Sequence, residues 1–219
     1  MIKLDTKLVG ATVALLLFSG VVWGGEPSAS VTAVQRRWDE VMFATAKPQR
    51  EHALEALATQ AGAARTADSR DANALIWEGI VLSSWAGEKG GIGALNLVKR
   101  ARADFEQAIA LDPTAMEGSA YTSLGSLYYQ VPGWPLGFGN DDKAREMLLK
   151  GLKVNPNGID ANYFYGDFLR DQKNWKGAEA ALMKAVAAPA RPGRELADQG
   201  RRKEAQAMLG QVRRELAGH

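Results

Sequence analysis

The chain has 219 residues, of which 46% are hydrophobic and 24% charged, and its formal net charge at pH 7 is +2. This composition is that of an ordinary folded domain, and a near-neutral chain gives no support to a nucleic-acid partner. Cysteine is absent, which excludes disulfides, a lipid-carrying cysteine and thiolate chemistry.

The first 24 residues have the pattern of a secretory signal peptide. Lys3 and Lys7 precede an apolar run from Leu8 to Trp23, and Val22 and Gly24 occupy the positions that a signal peptidase reads. An uncleaved membrane anchor is the alternative, but the run is shorter than the ~20 apolar residues that a spanning helix needs. We therefore predict a signal peptide over 1–24, export to the periplasm, and membrane contact only if this segment is uncleaved.

Residues 25–70 are predicted to form an N-terminal pair of amphipathic helices. Val34, Trp38 and Val41 recur at helical spacing behind Ser30, a suitable N-cap, and a Lys-Pro break precedes the second helix. Neither helix carries the glycine-and-proline pattern found later in the chain. We interpret the pair as a cap.

The region 71–190 contains one pattern three times. Each copy has a lone glycine in a first helix, then two small residues and a larger apolar residue in a second helix. The positions are Gly79, Ala101, Phe105, Ala108 and Pro113; Gly125, Ala144, Leu148, Gly151 and Pro156; and Gly166, Ala178, Leu182 and Ala185. Repetition at such a period is typical of stacked helix pairs. We predict a first unit over 71–113, a second over 116–156 and a third over 159–190, without a β-sheet.

These positions resemble those of the tetratricopeptide repeat (TPR) family. The resemblance implies an all-α fold, a TPR-like α-solenoid of about three helix-turn-helix repeats. Residues 191–219 are predicted to form a long C-terminal capping helix. Basic residues outnumber acidic ones in this helix, and we interpret them as a solvated face rather than as a site for an anionic partner.

In TPR proteins the ligand usually lies in the concave groove lined by the first helix of each unit. The resemblance places polar side chains in the groove of the second and third units, namely Ser119, Thr122, Ser126, Tyr129, Asp160, Tyr163, Asp167 and Arg170. The chaperone-type TPR clamp for terminal carboxylates has Lys and Asn where this chain has Ile76 and Ile80. That activity is therefore not implied.

Two insertions depart from the TPR pattern and are expected to lengthen the turn inside the first and second units. The first is the glycine-rich stretch 87–93, and the second, 131–139, carries Trp134 and Phe138, which are costly to leave in water. The second insertion either packs on its own helix pair or forms the wall or lid of a ligand pocket. With the export signal, the insertions also resemble a bacterial envelope branch that includes TPR components of tripartite periplasmic (TRAP) transporters. Those components are typically lipoproteins, and this chain has no cysteine.

No catalytic site, metal site or cofactor is predicted. Two histidines and no cysteine offer no basis for a nitrogen- or sulfur-ligated metal. The sequence Asn140-Asp141-Asp142 opens a helix, which makes capping the better explanation than cation binding. Asp167 and Asp171 lie one helical turn apart, a spacing that also suits acid–base chemistry. A solvated groove edge explains this pair equally well.

The sequence therefore predicts a non-catalytic periplasmic protein that binds an envelope protein or peptide through the groove of the second and third units. The alternative is a small-ligand carrier or transporter accessory protein whose pocket is closed by the Trp134 loop. A third, weaker hypothesis is an enzyme that uses Asp167.

Overall fold

The computed structural model describes residues 27–218, so the predicted signal peptide lies outside the described residues. The described chain is all-helical, as predicted, and residues 27–218 contain no β-strand. The helices are α1 (Ala29–Phe43), α2 (Lys47–Ala67), α3 (Ala72–Lys89), α4 (Gly91–Leu111), α5 (Ala115–Gln130), α6 (Asp141–Val154), α7 (Ile159–Asp171), α8 (Trp175–Ala187) and α9 (Glu195–Ala217). None of the helices in this described part is long and apolar enough to cross a membrane.

Side-chain caps fix the start of four helices. Ser28, rather than the predicted Ser30, accepts a hydrogen bond from the first turn of α1, and Asp71, Asn140 and Asn174 cap α3, α6 and α8. Each cap satisfies a backbone N–H that has no partner inside its helix. Asn140 therefore has the capping role expected from the sequence.

The repeated sequence pattern corresponds to one contact made in three successive helix pairs, α3–α4, α5–α6 and α7–α8. In each pair the glycine of the first helix faces the larger apolar side chain of the second. An added Cβ would lie 2.6 Å from Phe105 at Gly79, 2.7 Å from Leu148 at Gly125 and 2.8 Å from Leu182 at Gly166. Such distances leave no room for a side chain, so the glycines allow the paired helices to approach closely.

The prediction of a long turn in the first insertion is wrong. The inserted residues extend both helices of the unit, since α3 continues to Lys89 and α4 already begins at Gly91. Ala86 just before this stretch and Leu97 and Val98 after it are buried, so both extended helices pack in the core. Gly90 and Gly91, at φ values of +64° and +63°, reverse the chain in a conformation that favours glycine.

The second insertion forms a loop that packs on its own helix pair through two of its apolar residues. Val131 is buried, and Phe138 packs edge-on against Tyr128 with ring centroids 5.8 Å apart. The Arg102 guanidinium lies 5.1 Å from the Phe138 ring. Trp134, by contrast, is 89% exposed. The loop therefore leaves its largest aromatic side chain in solvent.

Helix α9 does more than cap the last helix pair, because it packs on α8 and α7 and also contacts α1. Arg194, just before α9, donates two hydrogen bonds to Asp39 of α1, at 2.9 and 3.0 Å. Gly200 lies against the Phe43 ring so closely that a Cβ would overlap it. The N-terminal and C-terminal helices thus meet beside the first helices of the three pairs.

Candidate functional site

A cavity of about 840 Å³ lies among α1, α3, α4, α5, the start of α7 and the segment that leads into α9. Helices α3 and α4 supply a largely apolar wall that includes Trp77, Ile80, Val98 and Phe105. Leu136 of the second insertion lines the same cavity. The apolar wall is typical of a site that binds an organic molecule.

Helix α5 contributes a strip of hydroxyl groups because its polar residues recur at helical spacing. Ser119, Thr122, Ser123 and Ser126 all line the cavity. The Ser119 hydroxyl donates to the Met116 carbonyl oxygen at 2.7 Å. Thr122 and Ser126 are more than nine-tenths buried, and within residues 27–218 their hydroxyls have no hydrogen-bond partner. The Ser126 hydroxyl is therefore available to a ligand, whereas the Thr122 hydroxyl faces Gly151 of α6.

One part of the cavity wall carries three arginines: Arg191, Arg194 and Arg201. Arg191 and Arg201 donate to the two oxygens of Asp160, at 2.7 and 2.8 Å, and Asp160 begins α7 at the cavity wall. Burial alone would raise the pKa of Asp160, but Arg201 and then Arg191 outweigh it and lower the pKa to about 2. The Asp160 carboxylate is consequently held ionised by positive charge on two sides.

Aromatic rings hold two of these arginines in place. Arg201 lies 4.5 Å from the Tyr163 ring and 4.9 Å from the Phe164 ring, and Arg194 lies 5.4 Å from the Trp77 ring. A guanidinium stacks readily on an aromatic face, where the ring attracts the cation and excludes water. The positions of the charged groups are thus set by packing as well as by ion pairs.

The sequence matches the family described as TRAP transporter T-component over residues 34–214. The chain belongs to this family. A comparison with curated proteins gives no match. The matched range includes every element that lines the cavity of this T-component chain, and it confirms the predicted relation to a TRAP-associated component.

The structure of this T-component places the predicted binding residues in different surroundings. Ser119, Thr122, Ser126 and Asp160 line the cavity, whereas Tyr129, Trp134, Phe138, Tyr163, Asp167 and Arg170 are not among its lining residues. Tyr163 lies behind Arg201. The predicted set is therefore divided between the cavity, the helix interfaces and the exposed loop.

Tyr129, Asp167 and Arg170 form a hydrogen-bonded group of their own. The Tyr129 hydroxyl donates to Asp167 Oδ2 at 2.8 Å, and Arg170 pairs with Asp167 Oδ1 at 2.7 Å. Burial, followed by the nearby Asp167 charge, raises the pKa of Tyr129 well above its ordinary value. Arg170 also donates to Gln211 of α9 at 3.3 Å. These contacts join α5, α7 and α9.

The basic residues near the C-terminus were missed as site residues, and their interpretation as a solvated face is wrong for three of them. Arg194 and Arg201 have side-chain exposures of only 12% and 11%. Arg191 is also partly buried, with Asp160 and Asp198 as partners. The excess of basic residues was visible in the sequence, but Asp39 and Asp160 are too distant along the chain to reveal the pairing.

No metal site accompanies the cavity in the described part of the chain, where no group of three or more His, Cys, Asp or Glu residues could hold a metal ion. The cavity therefore offers hydrogen bonds, apolar surface and arginine charge.

Proposed function

We propose that this chain is a non-catalytic accessory component of a TRAP-type transporter and that its cavity holds a small ligand. The observation that carries the proposal is a cavity of about 840 Å³ in a chain that belongs to a transporter-component family. Ligand sites typically span ~300–1,000 Å³ and combine apolar walls with a few polar groups. Trp77 and Phe105 provide the apolar wall here, and Ser126 and the arginines provide the polar groups.

The proposal includes a TPR-like α-solenoid of three helix pairs, export to the periplasm and association with other transporter proteins. The recurrent contact at Gly79, Gly125 and Gly166 supports the solenoid. Family membership supports the transporter association. Through this transporter role, family membership also favours the alternative, a small-ligand carrier or transporter accessory protein, over the protein or peptide groove that was the first prediction from the sequence.

Contact between α9 and α1 also supports a small ligand. The Arg194–Asp39 ion pair and the packing of Gly200 on Phe43 join the two ends of the array beside the cavity. A peptide bound to an open solenoid needs a continuous groove along the first helices of the units. The contact between α9 and α1 narrows that groove. In the refined proposal Leu136, which lines the cavity, replaces Trp134 as the loop residue that borders the ligand.

Native mass spectrometry of protein purified from its own host tests the ligand proposal. We expect a bound small molecule on the wild type and on Thr59→Trp, a control at an exposed position of α2. Ser126→Trp should lose it, because the indole would fill the cavity beside the hydroxyl strip. Absence of a bound mass from all three proteins, or equal retention by Ser126→Trp, would contradict the proposal. Export is tested separately by sequencing the N-terminus of the mature protein, which should begin at Gly25.

A further inference from the structure

The charged end of the cavity has positive charge that its own carboxylates do not fully use. Arg194 donates through Nε and Nη2 to Asp39, and its Nη1 has no partner within residues 27–218. A guanidinium carries five N–H donors, so this nitrogen can donate to a further acceptor. Because Arg194 lines the cavity, a ligand acceptor there could satisfy this nitrogen.

The carboxylates that balance the arginines lie mostly behind them. Asp39 and Asp198 are more than nine-tenths buried and do not line the cavity, whereas Arg191, Arg194 and Arg201 do. On the cavity wall the three cations face only two acidic residues, Asp160 and Glu117. Arg201 also pairs with Glu204 at 2.7 Å, and Glu204 does not line the cavity either. Among the side chains that line the cavity near the start of α7, cationic ones therefore outnumber acidic ones.

The first turn of α7 adds to this charge. Gly158 at its N-cap provides no side-chain hydrogen bond, and Gly158, Ile159 and Ala161 all line the cavity. The positive end of a helix dipole and its free N–H groups favour an anion. The helix start and Arg194 thus act on the same space.

Away from the start of α7, near the C-terminal end of α5, the cavity is bordered by apolar side chains. Ile92 and Leu136 line the cavity although they are 88% and 70% exposed, and they follow the C-terminal ends of α3 and α5. Met116, near the start of α5, and Gln130, at its end, both line the cavity, so it follows the length of this helix. The regular part of the helix, from Ser119 to Gln130, is about 17 Å long at 1.5 Å per residue, which suits an extended chain.

On the basis of the proposed ligand cavity, we propose that the ligand is a single-chain amphiphile with an anionic headgroup. The headgroup binds Arg194 and Arg201 at the start of α7, and the apolar chain lies along the apolar wall of α3 and α4 toward Ile92 and Leu136. Carboxylate and phosphate headgroups share the required chemistry, since both accept charge-assisted hydrogen bonds from a guanidinium.

Isothermal titration calorimetry with four probes of equal chain length tests the inference: dodecanoate, dodecyl phosphate, dodecanol and dodecyltrimethylammonium, each below its micelle concentration. We expect at least one anion to bind about tenfold or more tightly than dodecanol, the scale of one charge-assisted hydrogen bond. The two anionic arms distinguish a carboxylate from a phosphate ligand. Equal affinity for the anions and dodecanol would overturn the headgroup assignment.

Two variants test the arginines. The double variant Asp39→Asn, Arg194→Gln removes both members of the Asp39–Arg194 ion pair. The single variant Arg201→Gln leaves that pair intact. Each should weaken binding of the preferred anion about tenfold while leaving dodecanol affinity unchanged. Arg213→Gln is the matched control, because Arg213 lies on the same helix as Arg201 but pairs at the surface with Glu179 of α8. It should change neither affinity.

The outcomes separate this inference from the proposed function on which it rests. If neither variant changes the preference for anions, or if both weaken anion and dodecanol alike, the headgroup assignment is wrong although the cavity still binds ligands. If none of the four probes binds the wild type, the amphiphile is wrong, and native mass spectrometry then decides whether the cavity holds another molecule.

Discussion

Asp104 should make the stability of this protein fall as the pH rises toward neutrality. It is buried where α2, α3 and α4 meet, beside Glu78, which is itself buried. Arg65 Nε lies 3.2 Å from Glu78 Oε2 but 3.7 Å from Asp104 Oδ1, and Arg100 pairs with Glu78 at 3.1 Å. The arginines therefore lie closer to Glu78 than to Asp104 and stabilise the Glu78 charge more. Burial, with the Glu78 charge second, raises the pKa of Asp104 to about 7.

The sign of the effect follows from proton binding. In the unfolded chain this carboxyl group loses its proton near its ordinary pKa of 3.8, whereas the folded protein retains it up to about pH 7. Folding is therefore favoured most below the unfolded pKa, and this contribution disappears as the pH passes the folded pKa. At about 1.36 kcal/mol per pKa unit, the change from 3.8 to about 7 corresponds to a loss of about 4 kcal/mol in the free energy of unfolding.

Urea denaturation between pH 4.5 and 8.5 measures this loss. Asp104→Asn should flatten the pH dependence and be more stable than the wild type at pH 8, because the amide imposes no charge on the buried site. Asp142→Asn, at an exposed position of α6, should keep the wild-type slope. Burial also raises the pKa of Asp39, but that residue contributes equally in all three proteins. Parallel wild-type and Asp104→Asn curves would refute the reasoning.

Urea denaturation of four further variants tests the packing contacts. Gly125→Ala places a Cβ 2.7 Å from a leucine side chain and 3.0 Å from its backbone nitrogen, so we expect a loss of ~1–3 kcal/mol. Gly87→Ala, in a helical position with nothing within 4 Å, should instead gain ~0.5–1 kcal/mol; equal effects would contradict the close-packing argument. Arg194→Ala leaves Asp39 buried without its partner and should cost ~3–5 kcal/mol, and an unchanged midpoint would show that α9 does not depend on this pair. Trp134→Ser should change stability by less than ~0.5 kcal/mol, because the indole is 89% exposed; a larger loss would place it in a packing contact.

The sequence predicted the helix pairs well because their determinants are local. The glycines at Gly125 and Gly166 meet Leu148 and Leu182 within one unit, so a short spacing pattern encodes the contact. Helices α6 and α8 lie within the predicted second and third units, and Asn140 and Asn174 cap their first turns. In such segments propensity, capping and packing all favour the same element.

The prediction of a long turn in the first insertion is wrong because glycine does not by itself end a helix. Four glycines in this stretch favour a loop, but only Gly90 and Gly91 adopt positive φ values. Gly87 and Gly93 lie within α3 and α4. A glycine costs a helix only ~1 kcal/mol, which the burial of Ala86 and Val98 more than offsets. Tertiary packing therefore decided this segment.

The candidate site depends on a contact that no local pattern encodes, the return of α9 to α1. A solenoid without this contact would present the first helices of the second and third units as one open groove. Instead, the Arg201 guanidinium of α9 lies over the Tyr163 ring, and Arg170 donates a hydrogen bond to Gln211 of α9. The predicted groove residues Tyr163 and Arg170 therefore contact α9. On α5, Ser126 still faces the cavity. The third unit and α9 thus contribute mainly charge to the cavity, and α3 and α4 contribute its apolar wall, which is the asymmetry that an amphiphilic ligand requires.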